Sequence, residues 1–282
     1  MFRIESPGAT IPEIWAARKA GTRRSSHMTR HILAWLATAA AVVALLYPLF
    51  GLWVHVGPWQ WSGEFPGSSL AAVHVSLLLT AIALVVVVLF GTPVAWHLAR
   101  HRRPSALLLE AAVLISVLMP PLALGLLLSL VLSPRVALGR WLLSIGIPTS
   151  NSVGAFVITQ IYASIGYYII AARAAFEHAP RDLEDIAALL GIRPWRIFWK
   201  VTFPLARLGL AAALSLAWVR AIGEFGAIVI TAYYPAGMPV QLWTNLQDAG
   251  LSSVMPLLVI FLLTTLPLPW LIQFSARRHR HA

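Results

Sequence analysis

Two charged constellations stand out from an otherwise apolar chain. The first is Arg220-Ala221-Ile222-Gly223-Glu224-Phe225-Gly226, which sets a base and an acid four residues apart inside an apolar run. An ionisable side chain in such a run costs several kcal/mol unless it is paired or hydrated, so it faces a bundle interior or a cavity. Two readings follow: Arg220 and Glu224 neutralise each other and brace the bundle, or they line or gate a polar path. The second constellation is Asp182, Glu184 and Asp185, lying between Pro180 and Gly191. Pro180 suits a first helical position, the acids complement the helix dipole, and Gly191 can end the helix in a left-handed conformation. Leu183, Ile186, Ala187 and Leu190 fall at i, i+3, i+4 and i+7, so this short helix has one apolar face. Pro194 predicts a second helix through Trp195 to Val201, closed by Pro204. Two short helices bent at a glycine form a rigid knob, a shape suited to a partner's groove. The plainer alternative is an amphipathic helix lying on a membrane surface.

Other chemistry is missing. An ATP-hydrolysing chain needs a Gly-rich phosphate loop ending in Gly-Lys-Ser/Thr, but the only lysines, Lys19 and Lys200, do not follow a glycine. Any ATP-derived energy must therefore come from another subunit. With no cysteine, disulfides, thiolate metal centres and cysteine catalysis are excluded. His97 and His101 share a helix face and His279 and His281 share the tail, yet neither pair has a nearby third ligand, which favours solvated interfacial histidines over a metal site. No Gly-x-Ser-x-Gly elbow is present. No catalytic residue, metal site or bound cofactor is expected in this chain.

The elements that must position these groups are membrane helices. The chain is 59% hydrophobic and 11% charged with a mean hydropathy of +0.78, against about 45–50% and about 25% in soluble domains. Six stretches are long enough to cross a bilayer, which takes about 20 helical residues: 32–52, 70–99, 106–132, 153–174, 208–232 and 254–274. The alternation of a β-barrel is absent, so the predicted fold is all-α and polytopic. Residues 83–89, Ala-Leu-Val-Val-Val-Val-Leu, have no polar face and must meet lipid or other helices.

All but three of the 21 basic residues fall on one side of a six-span topology. Arg135 and Arg140 lie opposite, and Arg220 lies within a span. Basic residues collect in cytoplasmic loops, which places both termini in the cytoplasm. The net charge of +11 thus reflects topology and contact with anionic lipid rather than nucleic-acid binding. The first apolar run follows about 30 polar and basic residues and lacks a small-residue cleavage signature, so it reads as a retained span. The expected organisation is a basic arm (1–30), a first span with its outer loop (31–69), a core of five spans (70–275) with the charged cytoplasmic loop at 175–207, and a basic tail (276–282).

The spacing Asp185, Ala187, Gly191, Val201, Pro204 resembles the EAA loop of ABC-transporter permeases, the site where such permeases meet their ATPase. Ile186 replaces the family's first Ala, and Val201-x-Phe203-Pro204 stands for its Ile-x-Leu-Pro. Glu184 keeps a second acid beside Asp185. Arg220-Ala-x-Gly-Glu-Phe-Gly-Ala227 looks like the fifth-span motif of sulfate, molybdate and tungstate permeases. Met119-Pro120-Pro121 and Ala232-Tyr233-Tyr234-Pro235 are similar to the same group, the latter to its molybdate and tungstate branch. The resemblance covers roughly 73–274. It implies the type I importer fold, with Glu184, Asp185, Ala187, Ala188, Gly191, Pro194, Val201 and Pro204 meeting an ATPase. It also implies a path or gate near Arg220, Gly223, Glu224, Phe225, Gly226, Pro120 and Pro121. Two permease copies, two soluble ATPases carrying ATP and Mg, and a periplasmic or extracellular binding protein would complete the assembly. The implied cargo is an oxyanion, most readily molybdate or tungstate; sulfate, thiosulfate or another small solute is the alternative.

The same residues have simpler roles as well. Pro120-Pro121 kinks a membrane helix whether or not it gates, and Gly223 and Gly226 favour close helix approach. Trp53, Trp59, Trp61, Trp141 and Trp270 lie near span ends, where indole rings settle at the interface. The polar loops 53–69, 133–152 and 233–253 are candidate docking surfaces for the binding protein. An ion-coupled carrier would show inverted repeats and mid-membrane acids, whereas only Glu110 and Glu224 lie in or near the spans. A membrane enzyme would gather His and acids at one interface, a pattern this chain lacks.

Overall fold

The computed structural model describes residues 33–51, 54, 67–101 and 104–266, with side-chain detail omitted at position 105. The basic arm, most of the first outer loop, the tail and the tryptophans at 53, 59, 61 and 270 lie outside them. Every regular element among the described residues is helical. The chain divides into two units, 1–63 and 64–282. The first holds α1 (Leu33–Gly51), a 19-residue helix with a mean hydropathy of 2.0, close to the length that crosses a hydrocarbon core.

The second unit is built on three long helices: α2 (Gly67–Arg100), α6 (Val153–Glu177) and α9 (Phe203–Ile222). Leu84, Val87 and Ala95 of α2 pack with Tyr168, Ala172 and Phe176 of α6 and Leu210, Ala213 and Ala217 of α9. Small residues let these backbones approach. A Cβ at Gly209 would stand 2.4 Å from that of Ala175, and one at Gly91 2.7 Å from the Tyr168 ring. In the 83–89 run, Ala83, Leu84 and Val87 turn inward and Val85 and Leu89 outward.

Three expected crossings differ from their forecasts. The predicted span 106–132 is two helices, α3 (Pro104–Leu118) and α4 (Pro121–Val131), bent by 113°. Pro120 sits extended at φ −59° and ψ 137° as the N-cap of α4, because a residue before proline is driven out of the helical region. The proline pair thus produces a break beyond a right angle rather than a kinked crossing. The predicted span 208–232 stops at Ile222 and resumes only as the single turn α10 (Ile228–Thr231). The predicted span 254–274 appears as α12 (Leu251–Thr265), 15 residues with Pro256 inside; the rest of it lies outside the described residues. Four described helices are long and apolar enough to cross a membrane, or five if the bent pair counts as one. The loops at 133–152 and 233–253 contain helices of their own, α5 (Ala137–Ser144) and α11 (Met238–Ala249).

Candidate functional site

The charged elbow is α7 (Arg181–Leu189) followed by α8 (Pro194–Ile197). Pro180 is the N-cap of α7 rather than its first residue. Gly191 adopts φ +75°; its N–H bonds the Ala188 carbonyl at 2.9 Å and the Ile192 N–H bonds that of Ala187 at 3.1 Å. That is a Schellman motif, in which the left-handed residue is best a glycine. Ala187 is buried against the fold, whereas Asp185 and Ala188 are exposed. Leu189 and Leu190 are 88% and 75% exposed, and Ile186 54%. Among the described residues this apolar tip stands exposed.

Glu184 is not the spare acid expected from the sequence. Its Oε1 accepts Arg100 Nη2 at 2.5 Å and Thr202 Oγ1 at 2.7 Å, and the Arg100 side chain is 8% exposed. Arg181 Nη2 also donates to the Ala99 carbonyl at 2.5 Å. The elbow is therefore pinned to the basic end of α2 from two sides, while Asp185 faces outward.

Pro204 does not close a helix, contrary to the sequence reading. Phe198–Thr202 form a π-turn, Val201 is half-buried within it, and α9 continues with Pro204 in its first turn. The Phe203 N–H reaches back five residues to the Phe198 carbonyl. A proline has no N–H to place, and the wider π-turn absorbs the local misfit, so residues 194–222 form one 29-residue rod.

At the far end of α9, Gly223 ends the helix at φ −87° and ψ 0°, so Glu224 lies in a non-helical break instead of within the continuous span predicted over 208–232. Arg220 Nη1 still pairs with Glu224 Oε2. The other oxygen of Glu224 accepts the Ala227 N–H at 2.8 Å, and the acid is 1% exposed. The Arg220 guanidinium lies 5.5 Å from the centroid of the Tyr167 ring, a cation–π arrangement. Arg220, Tyr167, Leu216, Val219 and Gly223 line a cavity of about 210 Å³.

The two breaks meet. A Cβ on Gly226 would stand 2.8 Å from Pro121 Cβ, and one on Gly125 2.9 Å from Ala227 Cα. Gly226 thus serves a close approach to a proline turn rather than a helix–helix seam. Gly223 is exposed, and its nearest neighbour is the Val219 carbonyl of its own helix. Pro120 is exposed at the turn, and Phe225 tilts against Trp243 of α11 at 5.8 Å.

Behind this junction lies a buried polar layer absent from the sequence reading. Gln160 Nε2 donates to Thr80 Oγ1 at 2.8 Å and to the Ala221 carbonyl at 3.0 Å. The hydroxyls of Thr159 and Thr231 lie 2.8 Å apart. Arg100, Thr202, Tyr167 and Gln160 all escaped sequence reasoning; only the run of polar types in the otherwise apolar 153–174 stretch hinted at Gln160. Glu110 binds Arg173 at 2.8 Å, as does Glu177, so Arg173 is paired as well as topological. The His97 and His101 rings stack at 4.5 Å.

A long rod carrying a pinned elbow at one end and a charged break at the other has counterparts among known proteins. Residues 88–281 match the family model described as binding-protein-dependent transport system inner membrane component. The chain belongs to that family. It is an ABC importer permease, a multi-pass protein of the plasma membrane. It is 31% identical over 241 residues to the molybdenum transport system permease protein ModB of Mycobacterium tuberculosis, covering 82% of this chain and 91% of that one. It is 32% identical to the probable molybdenum ABC transporter permease protein of Haloferax volcanii over 68% of this chain and 70% of that one. Among solved structures, a bacterial ABC transporter involved in import of the acidic polysaccharide alginate aligns with a TM-score of 0.67 at 17% identity, over 91% of this chain and 99% of that chain. The MetNI methionine ABC transporter aligns at 0.60 and 18%, over 77% and 96%. At these identities the permease shares their fold.

Proposed function

We propose that this permease conducts an oxyanion, molybdate or tungstate, inward across the membrane under the drive of a separate ATPase. The observation that carries the reading is Arg220, a guanidinium placed at a break in a membrane helix and bordering a small cavity. A planar fork of donors suits tetrahedral oxyanions. Its pairing with Glu224 and its stacking on Tyr167 keep it from being a naked charge that would trap an anion. The relatives support the same cargo, including the molybdate/tungstate permease WtpB of Thermococcus kodakarensis, 30% identical over 67% of this chain and 71% of that one.

Sulfate is the second reading. The probable sulfate permease cysT of Chlorokybus atmophyticus is 28% identical over 74% of both chains, and sulfate shares the charge and shape that a guanidinium recognises.

The chain holds no phosphate loop, and the exposed Ile186, Leu189 and Leu190 offer an apolar tip to a groove on an ATPase. Two permease copies, each gripped at its elbow by a soluble ATPase carrying ATP and Mg, would enclose a path between them. A binding protein would deliver the anion from outside, at the surfaces formed by 133–152 and 233–253. The decisive test is reconstitution in vesicles with the ATPase and the binding protein. Labelled molybdate should accumulate only with ATP, with tungstate competing better than sulfate. Accumulation by the permease alone would refute the coupling, and sulfate competing best would transfer the assignment to sulfate.

A further inference from the structure

An apolar groove lies away from the charged break. It is a groove of about 560 Å³ between α2 and the α8–π-turn segment, walled by Leu89, Trp96, Trp195, Phe198, Trp199 and Phe203. Its size falls within the roughly 300–1,000 Å³ of sites that bury small ligands. Its one hydroxyl, Thr92, is already bonded to the Tyr168 hydroxyl at 2.8 Å. The buried indole N–H of Trp96 is without a partner among the described residues, and the rest of the wall is apolar and suits hydrocarbon. It opens outward, since Leu89 is 64% and Trp195 70% exposed.

The wall is built by the π-turn. Trp195 and Trp199 meet edge to face at 5.5 Å, and Phe203 lies 5.1 Å from Trp199. Residues 191–203 also carry three exposed bases, Arg193, Arg196 and Lys200, and no acid. An apolar slot edged by tryptophan, on a segment whose own charged side chains are all basic, is complementary to an anionic amphiphile.

We infer that this groove seats one acyl chain of an anionic phospholipid whose headgroup phosphate is held by Arg196 and Lys200. The lipid would wedge the π-turn against α2, on the same rod that carries the elbow. This inference is independent of the transported solute.

The test uses the full-length permease in nanodiscs of equal phosphatidylglycerol and phosphatidylcholine with matched acyl chains, followed by native mass spectrometry of retained lipid. Wild type should retain phosphatidylglycerol selectively. The double variant Arg196→Gln/Lys200→Gln should lower that preference roughly 30-fold, since each basic residue near an anionic headgroup contributes about 1 kcal/mol. Leu89→Trp, which fills the groove from its exposed rim, should lower retention of both lipids. If that variant fails to fold, brominated phosphatidylglycerol should quench wild-type tryptophan fluorescence more than that of Trp195→Phe/Trp199→Phe. Equal retention of the two lipids by wild type, or a charge-variant loss under about threefold, overturns the inference. So does cross-linking between two copies through Leu89→Cys in this cysteine-free chain, because the occupant would then be a second permease.

Discussion

The Arg220–Glu224 pair allows bracing and conduction to be separated. Arg220→Met removes the guanidinium and leaves Glu224, 1% exposed, with the Ala227 N–H as its remaining donor. Removing one partner of a buried pair costs about 3–5 kcal/mol, because the other charge stays behind uncompensated. At about 2–4 °C for each kcal/mol in chains of roughly 150–250 residues, the melting temperature should fall by roughly 6–20 °C. The double variant Arg220→Met/Glu224→Gln removes both charges together, and the glutamine still presents an oxygen to Ala227. Its stability should return to near the parent, since replacing a whole buried pair is often neutral. Uptake should not return, because the guanidinium proposed to meet the anion is gone. Thermal unfolding in nanodiscs and ATP-dependent uptake in vesicles read the two effects on the same proteins. A single variant that melts with the parent would refute the burial argument. A double variant with full uptake would make the pair a brace and nothing more.

Three further outcomes follow from the local geometry. Gly191→Val forces a β-branched residue to φ +75°, at roughly 1–2 kcal/mol for a side chain in that conformation; ATP hydrolysis should persist while import per ATP falls, and an unchanged ratio would count against the elbow as the coupling element. Glu184→Gln weakens a charged contact to the 8% exposed Arg100, worth about 1.5–3 kcal/mol; hydrogen exchange should accelerate at 181–193, and the exchanged pair Arg100→Glu/Glu184→Arg should recover part of the protection. Gly226→Ala places a methyl 2.8 Å from Pro121 Cβ, an overpacking cost of about 1–3 kcal/mol; an unaltered melting temperature would show that the two breaks do not abut.

The elbow's first helix, its glycine stop and the start of its second helix were legible because their signals are local. Acids in a first turn, a glycine six residues past Asp185 and a proline three beyond it act through the backbone of the same few residues. The helical breaks were only half legible. Pro120-Pro121 announced a disturbance, yet its 113° angle depends on Gly226 and Gly125 giving room for the turn to fold back. Pro204 misled for the same reason: a proline's cost is local, but its remedy, a π-turn between two packed segments, is not.

Composition and periodicity thus determined on their own that this is a polytopic helical membrane protein with an amphipathic elbow and a charge pair inside an apolar run. Apolar content, a period of 3.6 and the steric demands of Gly and Pro are written into neighbouring residues. Only the tertiary structure decided that Glu184 answers to Arg100, 84 positions away, that Arg220 rests on Tyr167, and that one glycine-rich break packs on a proline turn. Those pairings arise when helices settle side by side, and any of several arginines could have met that acid until packing left one of them buried beside it.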